Sequence, residues 1–273
     1  MAKRVTKKIQ TTKQPNKPVS KKIRFGLWFI LVCSVILFSW YIIHTLKLQK
    51  EEEQAEAAVY DAFGTDIPIR YPIHGIDVSS HQNSISWRKV AAMNVKKVKM
   101  SFAFMKATEG LGNTDENYKR NYANAKKAGM TCGAYHFFLA TKSGVVQANN
   151  FIKSTSLAKG DLPPVVDVEQ LYGVAPFTMR NRLKEYLQTI EAAYKIKPII
   201  YSYVDFYEHF LGKEFDEYPL WVAHYEEKDK PRIGRDWIFW QHSEEGHVNG
   251  ISTPVDLSVF RGDSLAFQEM LIK

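Results

Sequence analysis

Cysteine is scarce in this chain of 273 residues, which contains only Cys33 and Cys132. Cys33 lies in a long apolar run near the start, so the rest of the chain has a single thiol and cannot form an internal disulfide. This excludes a small domain held together by disulfides. Such support is not needed, because 45% hydrophobic residues supply one sizeable core. Cys132 also sits in an apolar run, which predicts a small buried side chain and not a catalytic thiol.

Acidic residues are absent from residues 1–24, which carry nine lysines and arginines. The formal net charge of +8 arises from this arm, since the remaining chain has 28 basic residues against 29 acidic ones. A globular part that is close to neutral argues against nucleic acid as a partner. The basic arm is better explained as the cytoplasmic flank of a membrane anchor.

Charged residues are also absent between Phe25 and Leu46. About 20 apolar residues suffice to cross the hydrocarbon core of a bilayer. A buried core helix of this length would carry a polar stripe, and a cleavable signal peptide would have a shorter apolar region followed by small residues. We therefore predict a single-pass signal-anchor helix in the lipid bilayer at residues 25–46, with residues 1–24 cytoplasmic and residues 47–273 on the extracytoplasmic side.

Residues 47–70 are rich in helix formers and poor in large aliphatic residues, which predicts a helical stalk that ends near Gly64. From residue 71 to residue 273 short apolar runs alternate with longer amphipathic ones. The strand-like runs are His74–Val78, Phe102–Thr108, Thr131–Phe138, Val165–Glu169, Pro198–Tyr203, Leu220–Tyr225, Ile238–His242 and Val255–Phe260. The helical segments between the first five are Ser86–Val95, Asp115–Ala128 with Thr114 as its cap, Ser143–Leu157 and Thr178–Tyr194.

Alternating strands and helices predict a parallel sheet with helices outside it. The links between the last three strands are too short for full helices. The predicted fold class is therefore α/β: an irregular eight-stranded (β/α) barrel, TIM-like, preceded by one transmembrane helix, with residues 71–273 as the catalytic domain.

Two carboxylates, Asp167 and Glu169, stand two residues apart at the end of the fourth predicted strand. Side chains alternate along a strand, so both lie on one face, where two ionised carboxylates repel each other and resist desolvation. A strand that needed only stability would not contain them. Asp77 near the end of the first strand and Asp256 in the eighth are expected beside them, because these two strands are neighbours in a closed barrel. The four acids predict an acid/base site.

The residues that carry these features resemble glycoside hydrolase family 25, the lysozyme family of bacterial and phage muramidases. The similar motifs are GIDVSSHQ at 75–82, FMKATEG at 104–110, GAYHF at 133–137, PPVVDVE at 163–169, IIYS at 199–202, LWVAHY at 220–225, WQ at 240–241 and VDLSVF at 255–260. The resemblance runs from about residue 74 to residue 262 and keeps the order of the motifs. It implies hydrolysis of the β-1,4 bond between N-acetylmuramic acid and N-acetylglucosamine in peptidoglycan glycan strands.

The resemblance also implies roles for the four acids. The second acid of the pair, Glu169, is expected to be the proton donor, with its pKa raised by Asp167 and by Asp77. Asp167 is expected to stay ionised, and either to stabilise positive charge or to orient the acetamido group of the substrate so that it attacks in place of an enzyme nucleophile. Asp77 and Asp256 are the supporting acids. The spacing alone leaves a retaining or an inverting outcome open, and the resemblance favours retention.

Aromatic residues near the strand ends are candidates for sugar binding, because an aromatic face suits the apolar face of a pyranose. The candidate substrate-binding residues are Tyr135, Tyr201, Trp221, Trp240 and Gln241. The alternative for each aromatic residue is a place in the barrel core. Lys106 and Glu109 are expected to form a structural ion pair at the end of the second strand.

Two other function classes remain open. A glycan-binding protein without catalysis would be indicated by a missing acid, and none of the four is missing. A metal-dependent hydrolase would use the acids to hold a divalent cation. The histidines His81, His136, His224 and His242 lack the spacing of metal ligands. We expect no cofactor and no metal. An enzyme anchored to face its own wall is expected to remodel it, and a partner in the cell envelope is left open.

Overall fold

A computed structural model of the protein describes residues 21–225 and 227–273, so most of the predicted basic arm at residues 1–24 lies outside the described residues. The chain divides into two units, residues 1–53 and residues 54–273.

The first helix, α1, runs over Lys21–Phe63 and contains the apolar segment. An 18-residue window of the helix from Trp28 onward has a mean hydropathy of 2.1, and by length and composition this helix can cross a membrane. In this segment the hydroxyls of Ser34 and Thr45 donate to the carbonyls of Ile30 and Tyr41 four residues earlier. These polar side chains are therefore satisfied within the helix itself.

Eight strands of the second unit close a barrel, which confirms the predicted fold class. They are β1 (Ile73–Val78), β2 (Val98–Glu109), β3 (Thr131–Phe137), β4 (Val165–Asp167), β5 (Ile199–Tyr203), β6 (Leu220–Ala223), β7 (Phe239–Gly246) and β8 (Val255–Phe260). The strands β1 to β7 follow one another in parallel pairs, and β8 lies between β7 and β1. The two-residue strands Asn94–Val95 and Asn113–Thr114 extend β2 by antiparallel pairing.

The direction of the last strand differs from the parallel sheet that the sequence predicts. Strand β8 is antiparallel to both of its neighbours, with Asp256 opposite Asp77 and Val259 opposite Trp240. A parallel crossover needs a dozen or more residues, and the link at residues 247–254 is shorter than that. The chain therefore turns back as a hairpin, and the start of β8 lies at the end of the barrel where the parallel strands finish.

Helices cover the strands of the parallel part. They are α2 (Trp87–Ala92), α3 (Tyr118–Lys127), α4 (Gly144–Ser154) and α5 (Pro176–Tyr194), followed by shorter helical turns at Ser80–Gln82, Val204–Phe206, Tyr207–Leu211 and Gly212–Phe215 and by α6 (Ser264–Glu269). The Ser143 hydroxyl caps α4 by accepting from the Val146 amide. The expected cap at Thr114 is wrong: Thr114 pairs with Thr108 as a strand, and α3 begins after Asn117, whose amide donates to the Asp115 carboxylate.

The inside of the barrel is packed with aromatic rings. Phe104 stacks on Trp221 with 4.6 Å between ring centroids, and Phe102 lies 5.1 Å from Phe239. Glycine makes room for them, since a Cβ at Gly75 would lie 2.4 Å from the Phe102 ring. The interior is therefore solid below the mouth, as close packing requires.

No helix follows β7 before β8, and the outward side of this part of the barrel is covered by the chain that precedes β1. Val59 and Phe63 at the end of α1 are 2% and 0% exposed. They pack with Leu257 of β8 in the hydrophobic core between the outside of the barrel and its covering segments, which we call the outer core. Tyr71 packs its ring 6.2 Å from Trp240. The end of the predicted stalk is therefore part of the folded domain, because its few large apolar side chains are buried against the outer face of the strands.

Candidate active site

The four acids found in the sequence line one cavity of about 290 Å³ at the mouth of the barrel. Asp77 comes from β1, Asp167 is the last residue of β4, Glu169 follows two residues later, and Asp256 is the second residue of β8. The cavity is lined by Asp77, Ser79, Lys106, Tyr135, Phe137, Asp167, Glu169, Tyr201, Trp221, Tyr225, Gln241, Glu244 and Asp256. Because β8 runs in the opposite direction, Asp256 reaches the mouth from the start of its strand and not from the end.

Asp77 and Asp256 are cross-strand partners and interact directly through their carboxyl groups. Burial, followed by the charge of Asp256, raises the pKa of Asp77 well above its usual range. Asp256 accepts the hydrogen bond from the protonated Asp77, and burial still raises the pKa of Asp256 to about 6. Two carboxyls this close share a proton, because both cannot ionise in a poorly solvated place.

A glutamine fixes the Asp77 carboxyl. The Gln241 amide nitrogen donates to Asp77 Oδ2 at 2.9 Å. The amide oxygen of Gln241 accepts from the hydroxyls of Tyr201 and Tyr225, each at 2.7 Å. These bonds hold the amide in one orientation, so the alternate strands β5, β7 and β1, together with Tyr225 after β6, present a continuous polar network to the cavity.

Asp167 and Glu169 stand on the other side of the cavity with different surroundings. Asp167 is 8% exposed, and among the residues described its Oδ1 has no hydrogen-bond partner. Burial and then the charge of Glu169 raise the pKa of Asp167, while Lys106 acts to lower it. Burial also raises the pKa of Glu169, followed by the charges of Asp256 and Glu244.

The sources of the pKa shift on Glu169 differ from the sequence expectation, which named Asp167 and Asp77. Burial contributes most, and the charges come from the antiparallel side of the barrel. Lys106 forms the expected ion pair, with its Nζ 2.6 Å from Glu109 Oε2. Lys106 also lines the cavity, so this pair is part of the site.

The sequence profile of Glycosyl hydrolases family 25 matches residues 76–251, which is more than half of the chain. The chain belongs to glycosyl hydrolase family 25. This hydrolase is 42% identical over 201 residues to the uncharacterized protein YegX of Escherichia coli, covering 74% of each chain. It is 34% identical to lysozyme M1 of Streptomyces globisporus, over 70% of this chain and 69% of that one.

A solved family 25 glycosyl hydrolase from Bacillus anthracis superposes with a TM-score of 0.67 at 33% identity, covering 73% of this chain and 94% of that one. The fold and the family agree with the expectations from the sequence. The protein is a glycoside hydrolase of the muramidase type, and its substrate class is peptidoglycan.

Not every aromatic residue expected at the site of the hydrolase is there. Tyr135, Tyr201 and Trp221 line the cavity together with Gln241. Trp221 is only 2% exposed and donates from Nε1 to the Ser258 hydroxyl at 3.1 Å, so most of its ring forms the floor.

Trp240 lies on the opposite side of β7 from Gln241. It is fully buried in the outer core, and its Nε1 donates to the His224 carbonyl at 2.8 Å. Adjacent residues in a strand point to opposite faces, so Trp240 and Gln241 cannot both enter the barrel mouth. The expectation that Trp240 contacts substrate is therefore corrected to a packing role.

Two further residues that line the cavity, Tyr225 and Glu244, are not among those predicted from the sequence. Tyr225 follows β6 in the motif that contains Trp221, and its spacing from Ala223 was the available signal. Glu244 lies beyond the predicted end of β7, where the pairing with β8 shifts register. Such a bulge redirects side chains, and strand alternation alone does not reveal it.

No group of three or more His, Cys, Asp or Glu side chains within residues 21–225 and 227–273 has the geometry of a metal site. His136 is held between the Thr108 hydroxyl and the Gln147 side chain in the outer core. The chemistry that the cavity offers is that of four carboxyl groups whose pKa values are raised.

Proposed function

We propose that this muramidase is held in the membrane by residues 25–46 and cleaves the β-1,4 bond between N-acetylmuramic acid and N-acetylglucosamine in the adjacent wall. The observation that carries the proposal is the pair Asp167 and Glu169 at the end of β4, in a cavity that also holds Asp77 and Asp256. Glycosidic hydrolysis needs one carboxyl that is protonated and one that bears charge.

Glu169 is the proposed proton donor to the leaving oxygen. Its carboxyl lines the cavity and is partly buried, and burial together with Asp256 and Glu244 raises its pKa. A raised pKa keeps the proton on the group near neutral pH, where the leaving oxygen requires it.

Asp167 is the proposed charged partner. Burial and the charge of Glu169 raise the pKa of Asp167, and Lys106 opposes this shift, so we propose that Lys106 and the substrate together hold Asp167 as the carboxylate. An anionic Asp167 accepts the N–H of the substrate's acetamido group and turns the acetamido oxygen toward the anomeric carbon. The acetamido oxygen forms the new bond as the glycosidic bond breaks, and water then opens this ring with Glu169 as the base, so the configuration is retained.

The remaining residues hold the substrate and the acids. Asp77 and Asp256 share a proton directly, Gln241 orients the Asp77 carboxyl, and together they fix the polar side of the cavity. Tyr135 and Tyr201 offer ring faces and hydroxyls to the sugar. Trp221 closes the floor beneath them.

The anchor sets the biological role that we propose. An enzyme fixed to the membrane by its N-terminal helix reaches only the wall of its own cell. This restriction favours remodelling of that wall, or opening it for a protein complex of the cell envelope, over lysis of other cells. Labelling residues 1–24 in cells tests the anchor, because an uncleaved anchor keeps the label on the domain in the membrane fraction.

The central experiment is Glu169→Gln, with Glu269→Gln on the exposed surface of α6 as the matched control. Glu169→Gln is expected to abolish release of reducing ends from peptidoglycan while the far-UV circular dichroism stays unchanged. Mass spectrometry of wild-type products is expected to find N-acetylmuramic acid at the new reducing end, with retained configuration by NMR. Full activity in Glu169→Gln overturns the assignment, and activity that is lost in chelator and restored by magnesium favours a metal-dependent hydrolase.

A further inference from the structure

Tyr172 lies at the rim of the catalytic cavity, in the link between β4 and α5. The proposed proton donor, Glu169, stands three residues earlier in the chain. Burial and then the charges of Glu109, Asp167 and Glu169 raise the pKa of the Tyr172 hydroxyl. Charges in salt solution act over about 10 Å. The Tyr172 side chain is therefore close to the acids of the site, although it does not line the cavity itself.

The backbone of Tyr172 is in the left-handed region. Its φ is +50°, Gly173 follows with φ +78°, and the Val174 amide donates to the Leu171 carbonyl at 3.1 Å. These are the features of a type I′ turn, in which both central residues have positive φ. Asparagine, aspartate or glycine is favoured at the first central position, because a larger side chain is crowded by the backbone there. The tyrosine at position 172 therefore destabilises its own turn.

Local structure accounts for the other non-glycine residues that have positive φ in the described part of the chain. They are Asn83, Lys96, Lys97 and Lys195. Asparagine tolerates this region, the two adjacent lysines form the tight turn between Asn94–Val95 and β2, and Lys195 is the left-handed cap of α5. None of these reasons applies to Tyr172, which is the one aromatic residue among the five.

The Tyr172 ring gains little from packing within the protein. Leu171 and Val174, which flank it in the turn, pack against the outer core, whereas Tyr172 is 41% exposed. Within residues 21–225 and 227–273 its ring takes part in no aromatic pair. Tyr203 at the end of β5 is equally exposed, but its backbone is extended and its ring lies 5.8 Å from that of Phe206. Strain held at an exposed ring beside an active site points to a contact with a ligand.

We propose that the Tyr172 ring stacks on a pyranose ring of the peptidoglycan glycan strand, just outside the catalytic cavity. The proposal deepens the proposed function, because it adds a sugar contact on the strand whose bond is cleaved. The cavity of about 290 Å³ is small for a polymeric substrate, so the strand must continue over the rim. An exposed aromatic face suits the apolar face of a sugar, and such stacking needs no charge on either partner.

The kinetic test compares Tyr172→Asn and Tyr172→Phe with wild type, using the full chain in detergent micelles. Asparagine fits the turn and removes the ring, whereas phenylalanine keeps both the ring and the strain. The control is Leu265→Ala, which truncates an exposed apolar side chain of α6. On intact peptidoglycan Tyr172→Asn is expected to raise KM about three- to tenfold with kcat unchanged, and the other two variants are expected to keep the wild-type KM. A rise below twofold in Tyr172→Asn, or a Tyr172→Phe that does not restore KM, overturns the proposal.

Thermal unfolding of the same variants separates a binding role from a structural one. If the ring served only to pack, its removal would lower the melting temperature. Tyr172→Asn is instead expected to melt at or above the wild-type temperature, because asparagine relieves the strain of the turn. A lower melting temperature in this variant would assign the ring to packing and overturn the proposal.

Peptide-free glycan strands distinguish contact with a sugar from contact with the peptide stem. Their binding is measured by calorimetry in the Glu169→Gln background, which is expected not to cleave them. Adding Tyr172→Asn is expected to raise the Kd about three- to tenfold, and adding Tyr172→Phe is expected to leave it unchanged. An unchanged Kd in Tyr172→Asn would assign the ring to the stem and overturn the sugar contact, while hydrolysis of peptidoglycan by wild type leaves the proposed function intact. A wild type that does not hydrolyse peptidoglycan overturns the proposed function itself.

Discussion

The parallel part of the barrel and its antiparallel end reach the same site in different ways. In the parallel part, strands β1 to β7 bring their carboxyl ends to the mouth, and helices cover the outside. At the other end β8 runs backward, brings Asp256 to the mouth from its first residues, and relies on Val59 and Phe63 for cover. Site position is therefore set by which end of a strand faces the mouth, and stability is set by what covers its back.

The largest expected difference between the two parts is catalytic. We expect Asp167→Asn, in the parallel part, to reduce kcat/KM for peptidoglycan by about 10²- to 10⁴-fold, because the proposed mechanism places this side chain against the reacting acetamido group. Asp256→Asn, in the antiparallel end, is expected to lose less, since its partner is Asp77 and not the bond that breaks. Initial rates of reducing-sugar release measure both. An equal loss would make Asp256 a direct participant.

The end of α1 and helix α5 both cover the outside of the barrel, and truncating one buried side chain in each compares their contributions to stability. Phe63→Ala at the end of α1 is expected to lower the free energy of unfolding by about 3–5 kcal/mol, and Leu187→Ala in α5 by about 2–5 kcal/mol. Both side chains are fully buried in the same outer core. Urea unfolding of the full chain in micelles measures the change. A loss below about 1 kcal/mol for Phe63→Ala would show that the end of α1 is not part of the folded domain.

The two parts also contain contrasting buried histidines. His136 is bonded to Thr108 and Gln147, whereas His242 has no partner in the part of the chain that the structure describes. His136→Leu leaves the Thr108 hydroxyl unpaired, while Gln147 keeps its bonds to the Leu139 backbone, and it is expected to destabilise the fold by about 1–3 kcal/mol. His242→Leu is expected to be neutral or stabilising in the absence of substrate. Thermal unfolding tests the pair, and equal losses would contradict the difference in bonding.

The smallest expected effect is on the pH dependence of stability. The pKa of Asp256 rises from 3.8 to about 6 on folding, so the folded state binds more protons than the unfolded state between these values. The contribution of Asp256 to the free energy of unfolding is fully present below pH 4 and is lost as the pH rises through 6. Asp256→Asn removes this loss, so its melting temperature relative to wild type should increase from pH 4 to pH 7. A difference that does not change with pH would contradict the shift.

The sequence was informative where local patterns decide the structure. The spacing of Asp167 and Glu169 places both in the cavity by strand alternation, and the eight strand positions follow from apolar runs bounded by turns. The direction of β8 was not predictable in the same way, because Val255–Phe260 has the same pattern in either direction and the short link at residues 247–254 decides it. Alternation also separates Trp240 from Gln241, but only once the face of one of them is known.

Other parts of the site depend on distant contacts. Glu244 enters the cavity through a register shift between β7 and β8, which depends on both strands at once. The reason for a glycine at position 64 is its contact with His247, which lies more than 180 residues later in the chain. Sequence patterns within a short window do not reveal contacts between residues that are distant in the chain.

The burial of Val59 and Phe63 has a consequence for shedding of the enzyme. A protease that cuts after Phe63 would remove part of the outer core and release an unstable barrel. A cut between residues 47 and 54, in the exposed part of α1, would leave that cover attached. A stable soluble form of this muramidase must therefore begin before Val59.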